Sequence, residues 1–430
     1  MRRSRALPVL SIAPVLGAAL VLSAALVLSA ALAPRARAQR DPTQADRSLA
    51  TFTPTELDAL EPLLRTGTVA LVEYTIDGAL PAIVIATEVD APPAEVAGVI
   101  GDPRRYPDFM PALDRVDVET DTESQLAYSW TWQTAIFTLR GSNVMQRFAP
   151  PAGQEARGYR FVVRSTGGDL GAGRTVWRVL PRPGGRSLVM TSSRLDFRDA
   201  NYIARQLSSA SSSMNRTVTI AISFAMILRT QIEAERRAGH VRAPLPAPSG
   251  DPARPAFDPL AVERLLPRGD VMWVETAGAD LGRIAVIGAM HTPEARTREA
   301  MLDPQGFTQG LLQGSHARIL ERDEHGTRFE WGIDLPLVGT SGQMRLGERE
   351  GGRMHLDGVA GALSAARWRF ETMARPYGTL VYTWGRFDPA DGLWLLRVVT
   401  DADAAFRPGL GSATQLMMVR GLRTRLIRGL

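Results

Sequence analysis

The sequence is written twice, and that limits its folds more than any other feature. Residues 61–73, Glu61-Pro62-Leu63-Leu64-Arg65-Thr66-Gly67-Thr68-Val69-Ala70-Leu71-Val72-Glu73, match residues 263–275, Glu263-Arg264-Leu265-Leu266-Pro267-Arg268-Gly269-Asp270-Val271-Met272-Trp273-Val274-Glu275, at an offset of 202. Asp102-Pro103 matches Asp303-Pro304 at 201, and Trp132, Ser142 and Met145 match Trp331, Ser341 and Met344 at 199. Trp177-Arg178 matches Trp368-Arg369 at 191. The order is kept while the offset drifts, as loop insertions would cause. A period this long exceeds the roughly 20–50 residues of a solenoid unit. It means two copies of one domain, and 430 residues are enough for two cores. The proline-rich stretch around Ala243–Pro255 reads as a semi-rigid linker. The chain divides into a leader over residues 1–38, a first copy over 52–238, a linker over 239–256 and a second copy over 257–430.

Each copy opens with a helix signal. Thr53 caps, Pro54 takes the first helical position, Glu56 completes a capping box and Phe52 staples onto Leu57. Phe257-Asp258-Pro259 repeats the staple, cap and proline. Seven strands follow in the first copy: the β-branched run Ala82–Glu88, then Leu113–Glu119, Gln125–Ala135, Asn143–Phe148, Tyr159–Ser165, Arg174–Leu180 and Ser187–Leu195. Short turns between successive strands imply an antiparallel meander. A long helix over Ala200–Arg237 closes the copy. Its stripe of Ile203, Leu207, Ala210, Met214, Val218, Ala221, Phe224, Leu228 and Ile232 must cover something apolar.

This plan resembles the START-like helix-grip superfamily, and within it the polyketide cyclase/dehydrase and coenzyme Q-binding group. The resemblance covers Ala70–Glu235. It rests on that element order and on Asp90-Ala91-Pro92-Pro93-Ala94-Glu95-Val96 followed by Asp102-Pro103-Arg104-Arg105-Tyr106-Pro107-Asp108-Phe109-Met110-Pro111. The second copy keeps Thr292-Pro293-Glu294 and Asp303-Pro304, with Phe307 in place of Tyr106, but Pro107, Phe109 and Pro111 become Thr308, Gly310 and Leu312. The resemblance implies an α+β fold of two tandem helix-grip domains, each a curved antiparallel sheet wrapped around a long C-terminal helix. It also implies a cavity between sheet and helix, gated by that helix or the loops facing it.

The N-terminus sets an address. Arg2, Arg3 and Arg5 precede an apolar run, and Ala36-Arg37-Ala38 ends it. This is the pattern of a secretory signal peptide cut after Ala38, giving an exported, periplasmic or secreted protein, with a retained membrane anchor as the alternative. The formal charge is +5, but the leader holds five arginines and no acid, so the remainder is neutral. A neutral body has no general pull toward nucleic acid, and no nucleic-acid motif is present.

Composition excludes much chemistry. There is no cysteine, hence no thiolate nucleophile, disulfide or Cys-ligated metal, and every basic residue is arginine, hence no Schiff-base lysine. The five histidines (240, 291, 316, 325 and 355) all lie at or beyond the far edge of the first copy, which removes a His-dependent triad there. His316 and His325 beside Asp323 and Glu324 read as turn charges rather than metal ligands. Gly339-Thr340-Ser341-Gly342 lacks the last glycine of a nucleophile elbow. Gly168–Gly173 reads as a hairpin turn. No cofactor, metal or catalytic residue is assigned.

The binding signal is stronger. Leu126, Tyr128, Trp130 and Trp132 alternate with small or polar residues along one strand, and Phe329, Trp331 and Ile333 do the same in the second copy. With Tyr106, Phe161, Trp177, Trp368 and Phe370 they form the candidate ligand-binding set, lining an apolar cavity of the kind that takes greasy molecules. Arg140, Arg160 and Arg178 are candidates for a headgroup. The expected ligand is a hydrophobic small molecule (a lipid, isoprenoid or quinone), carried or sequestered. The alternatives are a cyclase or dehydratase acting on a polyketide-like substrate, and a non-catalytic envelope adaptor with a degenerate second copy. Arg420, Arg423, Arg425 and Arg428 among apolar residues of the tail suit either transient contact with an anionic membrane or a covering helix with a solvated arginine face.

Overall fold

The computed structural model describes Leu49 and residues 51–74, 82–133, 138–196, 212–246, 250–309, 314–335, 338–349 and 352–428. The leader and the stretch of the first long helix before Ser212 lie outside these, as do the side chains of Met214 and Arg428. Residues Gln44–Leu430 form one compact unit.

The first copy has helix α1 (Pro54–Leu64), strands β1 (Thr68–Glu73) and β2 (Ile83–Val89), helices α2 (Pro93–Gly101) and α3 (Tyr106–Phe109), and a six-strand meander. The meander is β3 (Leu113–Asp121), β4 (Gln125–Gln133), β5 (Thr138–Phe148), β6 (Tyr159–Gly168), β7 (Ala172–Arg182) and β8 (Arg186–Asp196). Helix α4 (Ser212–Arg237) ends it. The second copy repeats the order: a 3₁₀ turn (Pro259–Leu265), β9 (Gly269–Ala277), β10 (Asp280–Met290), α5 (Glu294–Met301) and α6 (Pro304–Gln309). Its meander is β11 (Ser315–Asp323), β12 (Gly326–Leu335), β13 (Val338–Glu348), β14 (Met354–Gly361), β15 (Arg367–Arg375) and β16 (Gly378–Arg386). Helices α7 (Trp394–Ala402) and α8 (Phe406–Arg428) follow.

Each copy therefore has one strand more than the seven expected, and the extra strands join the molecule. β1 pairs antiparallel with β9, so all sixteen strands form one sheet in the order β11-β12-β13-β14-β15-β16-β10-β9-β1-β2-β8-β7-β6-β5-β4-β3. The join is self-complementary. Ala70 faces Met272, its own counterpart at the 202 offset, while Val69 faces Trp273 and Leu71 faces Val271. This is the reciprocal pattern of a two-fold interface, built within one chain. Gly67 and Gly269 permit the approach: a Cβ on Gly67 would lie 2.5 Å from the Val274 oxygen, and one on Gly269 would strike the Val72 carbonyl. The best-matched segment of the repeat is thus the surface where the copies meet.

The four central strands are buried on both faces, so their apolar runs split by alternation. Val69, Leu71, Val84 and Ala86 join Val271, Trp273, Ala285 and Ile287 in an outer core beneath α1 and the 3₁₀ turn. Ala70, Val72, Ile83 and Ile85 join Met272, Val274, Ile284 and Val286 in an inner core beneath the long helices. The predicted capping box forms: the Thr53 hydroxyl accepts from the Glu56 N–H at 3.3 Å and the Glu56 carboxylate accepts from the Thr53 N–H at 2.8 Å. In the second copy Asp258 accepts from the Leu260 N–H, but only seven residues of 3₁₀ helix follow. The Gly168–Gly173 turn is the β6–β7 hairpin, as expected.

One reading needs correction and two gain detail. The stripe on α4 is broader than one face, because α8 packs antiparallel on it as well as the sheet beneath. Ile220, Ala221, Phe224, Ala225, Ile227, Leu228 and Ala234 are all buried. Thr217–Arg237 is long and apolar enough to cross a membrane, yet 67% of it is buried within the fold. Second, the tail arginines face inward. Arg420 donates to Asp270 at 2.7 Å and to the Val72 carbonyl at 2.8 Å, Arg423 pairs with the same Asp270, and Arg425 pairs with Asp303 at 2.5 Å. These three are therefore not part of a solvated arginine face; Arg428, the fourth, lies outside the described side chains. Third, the linker is strapped to the second copy: Trp384 Nε1 donates to the Pro252 carbonyl at 3.0 Å, and Asp251 pairs with Arg349 and Arg369.

Candidate functional site

The candidate site is the inner face of the first copy. Strand alternation on β4 puts Leu126, Tyr128, Trp130 and Trp132 on that face, and the row opens along its length. Leu126 and Tyr128 are buried, whereas Trp130 and Trp132 are partly exposed and packed on the core edge. β6 and β7 contribute Phe161 and Trp177, which face each other in register and are buried. Helix α2 lies above them, with Gly101 close enough that a Cβ there would come within 3.2 Å of the Phe161 ring. Tyr106, on α3, is buried; its hydroxyl donates to the Ile100 carbonyl at 2.7 Å and its ring meets Phe109 edge-on. At the rim, Trp132 packs against Phe406, the first residue of α8, with ring centroids 5.6 Å apart. A second-copy residue thus covers the edge of the first-copy cup. The start of that helix is held by Asp403, which accepts from the Ala405 N–H at 2.8 Å and takes a bidentate pair from Arg229 on α4.

The second copy carries the matching residues: Phe329, Trp331, Trp368 and Phe370 are all buried in the same inner core. Here the hairpin register revises one correspondence. Trp130 faces Gly141 and Trp331 faces Gly342, each tryptophan lying over the glycine opposite. Trp331 is therefore the counterpart of Trp130 at offset 201, in step with Asp303-Pro304, and not of Trp132. Trp368 stacks near Phe387. Met301, Leu346, Met354, Leu356 and Phe370 surround a small apolar void.

One polar cluster interrupts the first cup. Tyr128 faces Asn143 across the β4–β5 pair. In the orientation that satisfies all its partners, the Asn143 amide oxygen accepts from the Tyr128 hydroxyl at 3.1 Å and from Trp130 Nε1 at 3.3 Å, while its nitrogen donates to the Ser142 carbonyl at 3.0 Å. Burial pushes the Tyr128 phenol up to about 12, so it stays protonated at neutral pH. The headgroup arginines do not reach this cluster. Arg140, Arg160 and Arg178 fall on the opposite parity of their strands and are exposed on the outer face, Arg160 over the Phe148 ring.

Other titratable groups serve structure. Among the described residues, every carboxyl with a shifted proton affinity is shifted down, and arginines oppose burial at the deepest of them. Burial would raise Asp270, but Arg423 and Arg420 outweigh it. At Glu233 the Arg236 hydrogen bond leads, with Arg237 adding to it. His325 and Glu324 are exposed on a turn whose Asp323 is held by Arg345. The described residues hold no group of three His, Cys, Asp or Glu side chains placed to bind a metal. The sequence reading missed both Asn143 and the Asp270 cluster. Asn143 carried a usable signal: a polar residue directly across from Tyr128 in the inward row, between Gly141 and Met145.

Residues 82–212 match the family model for polyketide cyclase / dehydrase and lipid transport proteins. The match lies on the first copy, and the second repeats the same strand order, so the fold is two tandem helix-grip units of START-like plan. A search of curated proteins gave no match. Solved structures similar to it include the Zhui aromatase/cyclase from Streptomyces sp. R1128, with 20% identity over 37% of this chain and 98% of that one and a TM-score of 0.29. A STAR-related lipid transfer protein from Xanthomonas axonopodis shows 13% identity over 44% and 98%, with a TM-score of 0.32. The di-domain ARO/CYC StfQ from the steffimycin biosynthetic pathway shows 10% identity over 81% and 99%, with a TM-score of 0.28. At these TM-scores none of the three adds to the argument made above from strand order.

Proposed function

We propose that this protein binds a hydrophobic small molecule in the first helix-grip cup and carries or sequesters it outside the cytoplasm. The observation that carries the reading is the β4 row, which runs from buried Leu126 and Tyr128 to the half-open Trp130 and Trp132. An apolar ligand entering there leaves water at about 25 cal/mol per Å² of apolar surface removed. The family description, which includes lipid transport, agrees with it. Export rests on the Arg2–Ala38 segment alone. In a double-membrane bacterium the cleaved protein would be periplasmic.

The test is native mass spectrometry of the mature protein purified from its own host, with lipid extraction of what accompanies it. A stoichiometric apolar molecule supports the reading and identifies the ligand. A bare mass, together with no uptake of lipid from vesicles, sinks it.

A further inference from the structure

The two cups share a plan but differ at one cross-strand pair, and the difference is chemical. In the first copy, the pair preceding the Trp130–Gly141 step on β4 is Tyr128–Asn143. In the second, the pair preceding Trp331–Gly342 is Phe329–Met344. Both polar members are replaced by apolar ones of similar bulk. The consequence is visible in the second copy: Trp331 Nε1 is buried with no hydrogen-bond partner, whereas the Trp130 indole has Asn143.

We propose that the Tyr128–Asn143–Trp130 cluster is a polar anchor for a single neutral oxygen, a carbonyl or hydroxyl, on an otherwise apolar ligand, and that the first cup alone has it. This rests on the binding reading above and adds the class of ligand. After its three contacts, the Asn143 amide keeps one N–H, and the Tyr128 oxygen keeps its acceptor capacity. A carbonyl takes the N–H. A hydroxyl takes the N–H and gives its proton to the phenol oxygen. Gly141 lets the Trp130 indole lie flat across β5, which holds Asn143 in place from the side.

A charged headgroup has no such partner. Arg140, Arg160 and Arg178 point outward. Arg147 does lie on the inner face, opposite Phe161, but its charge is already met by Asp121 at 3.0 Å, although its Nε has no partner. An anion seated beside the cluster would be desolvated without a counter-ion, which is costly.

The experiment measures binding of dodecane, 2-dodecanone and dodecanoate, three twelve-carbon chains, to the full mature chain, read by tryptophan fluorescence. The expected result is that the ketone binds roughly two- to tenfold tighter than the alkane, the range that one net neutral hydrogen bond supplies, with dodecanoate weaker than the ketone. In the double variant Tyr128→Phe, Asn143→Met, which installs the second copy's own pair, the ketone-to-alkane ratio should fall to about one. If ketone and alkane bind equally to the unaltered protein, or if the preference survives the double variant, the anchor is wrong while the binding reading stands. Dodecanoate binding tightest also overturns it. If no probe binds, the binding reading falls and this one with it. The wild-type series needs no variant to fold, and Tyr128→Phe alone removes only one oxygen if the pair is not tolerated.

Discussion

Replacing Asp270 with asparagine tests how the copies are held together. Asp270 is fully buried on β9, opposite Val72 of the first copy. Its carboxylate takes Arg420 at 2.7 Å, Arg423, and the Tyr74 hydroxyl at 3.3 Å. Arg420 then donates to the Val72 and Glu73 carbonyls, so one network spans β1, β9 and α8. Asparagine keeps the volume but leaves two guanidinium groups, whose side chains are only 10% and 15% exposed, without a counter-charge. Breaking a buried pair from one side costs about 3–5 kcal/mol. At about 2.1 cal/mol/K of unfolding entropy per residue over roughly 380 residues, that is a fall in Tm of about 4–6 °C. The pH dependence has a definite sign. The folded carboxyl sits below its ordinary value of about 3.9. Its contribution is therefore complete above that value and is lost only as pH falls through the lower, folded one. The gap between wild type and Asp270→Asn should stay constant from about pH 5 to 8 and close below about pH 4. The assay is scanning calorimetry across that range. A variant melting within about 1 °C of wild type would refute the reasoning, as would a gap that closes near neutral pH. Asp270→Leu combined with Arg420→Met and Arg423→Met should recover much of the loss, because an apolar replacement of the whole cluster removes the desolvation cost as well.

Four further outcomes are expected. Gly409→Val should separate the long helices, since a Cβ there would lie 2.6 Å from the Ala221 Cα; a loss of about 1–3 kcal/mol in urea unfolding checks it. Phe406→Ala uncovers Trp132 at the rim, so ligand exchange followed by stopped-flow fluorescence should accelerate; an unchanged rate would show that this contact does not limit entry. His355 is buried, and burial holds its imidazole below the ordinary 6.5. Its stabilising effect is complete above that value and declines as pH falls below it, so His355→Phe should flatten the change in Tm between pH 7 and 5. If the proposed leader is cleaved, the intact mass of the protein purified from its host should correspond to a chain starting at Gln39; a mass retaining Met1 would replace cleavage with anchoring.

What the sequence reveals depends on how local the determining physics is. The capping box at Thr53 and Glu56 and the meander strands were legible because each depends on near neighbours. The inward row of β4 was legible because alternation fixes a face wherever one side is buried. β1 was not, although Thr68–Glu73 is an apolar run beside its local partner β2; what its second edge does is set by β9, about 200 residues away. The tail arginines were misread for the same reason. Their spacing on a helix shows a charged face, but only the fold brings Asp270 and Asp303 to meet it. Offsets alone paired Trp132 with Trp331; the hairpin register, which sequence identity does not encode, pairs Trp130 with it instead.

The pattern of divergence between the copies follows from the two-fold join. A self-complementary interface makes each residue serve twice: Val69 meets Trp273, while Leu71, the counterpart of Trp273, meets Val271. A change on one side must be accommodated by a non-equivalent residue on the other, and the glycines at 67 and 269 are fixed by backbone approach rather than by side-chain fit. That explains why residues 61–73 and 263–275 still read as one sentence written twice. The cups carry no such reciprocity. Tyr128–Asn143 can become Phe329–Met344 without disturbing β1 or β9, because the change lies on the inner face of a distant hairpin. The polar departure inside the join shows the same logic. Thr68 and Asp270 occupy equivalent positions, yet only Asp270 meets α8 arginines, while Thr68 donates to Thr87 at 3.0 Å. The network locks the second copy's last helix onto the first copy's β1, and with it Phe406 over Trp132. The second copy thus holds the first cup's rim through its own last helix.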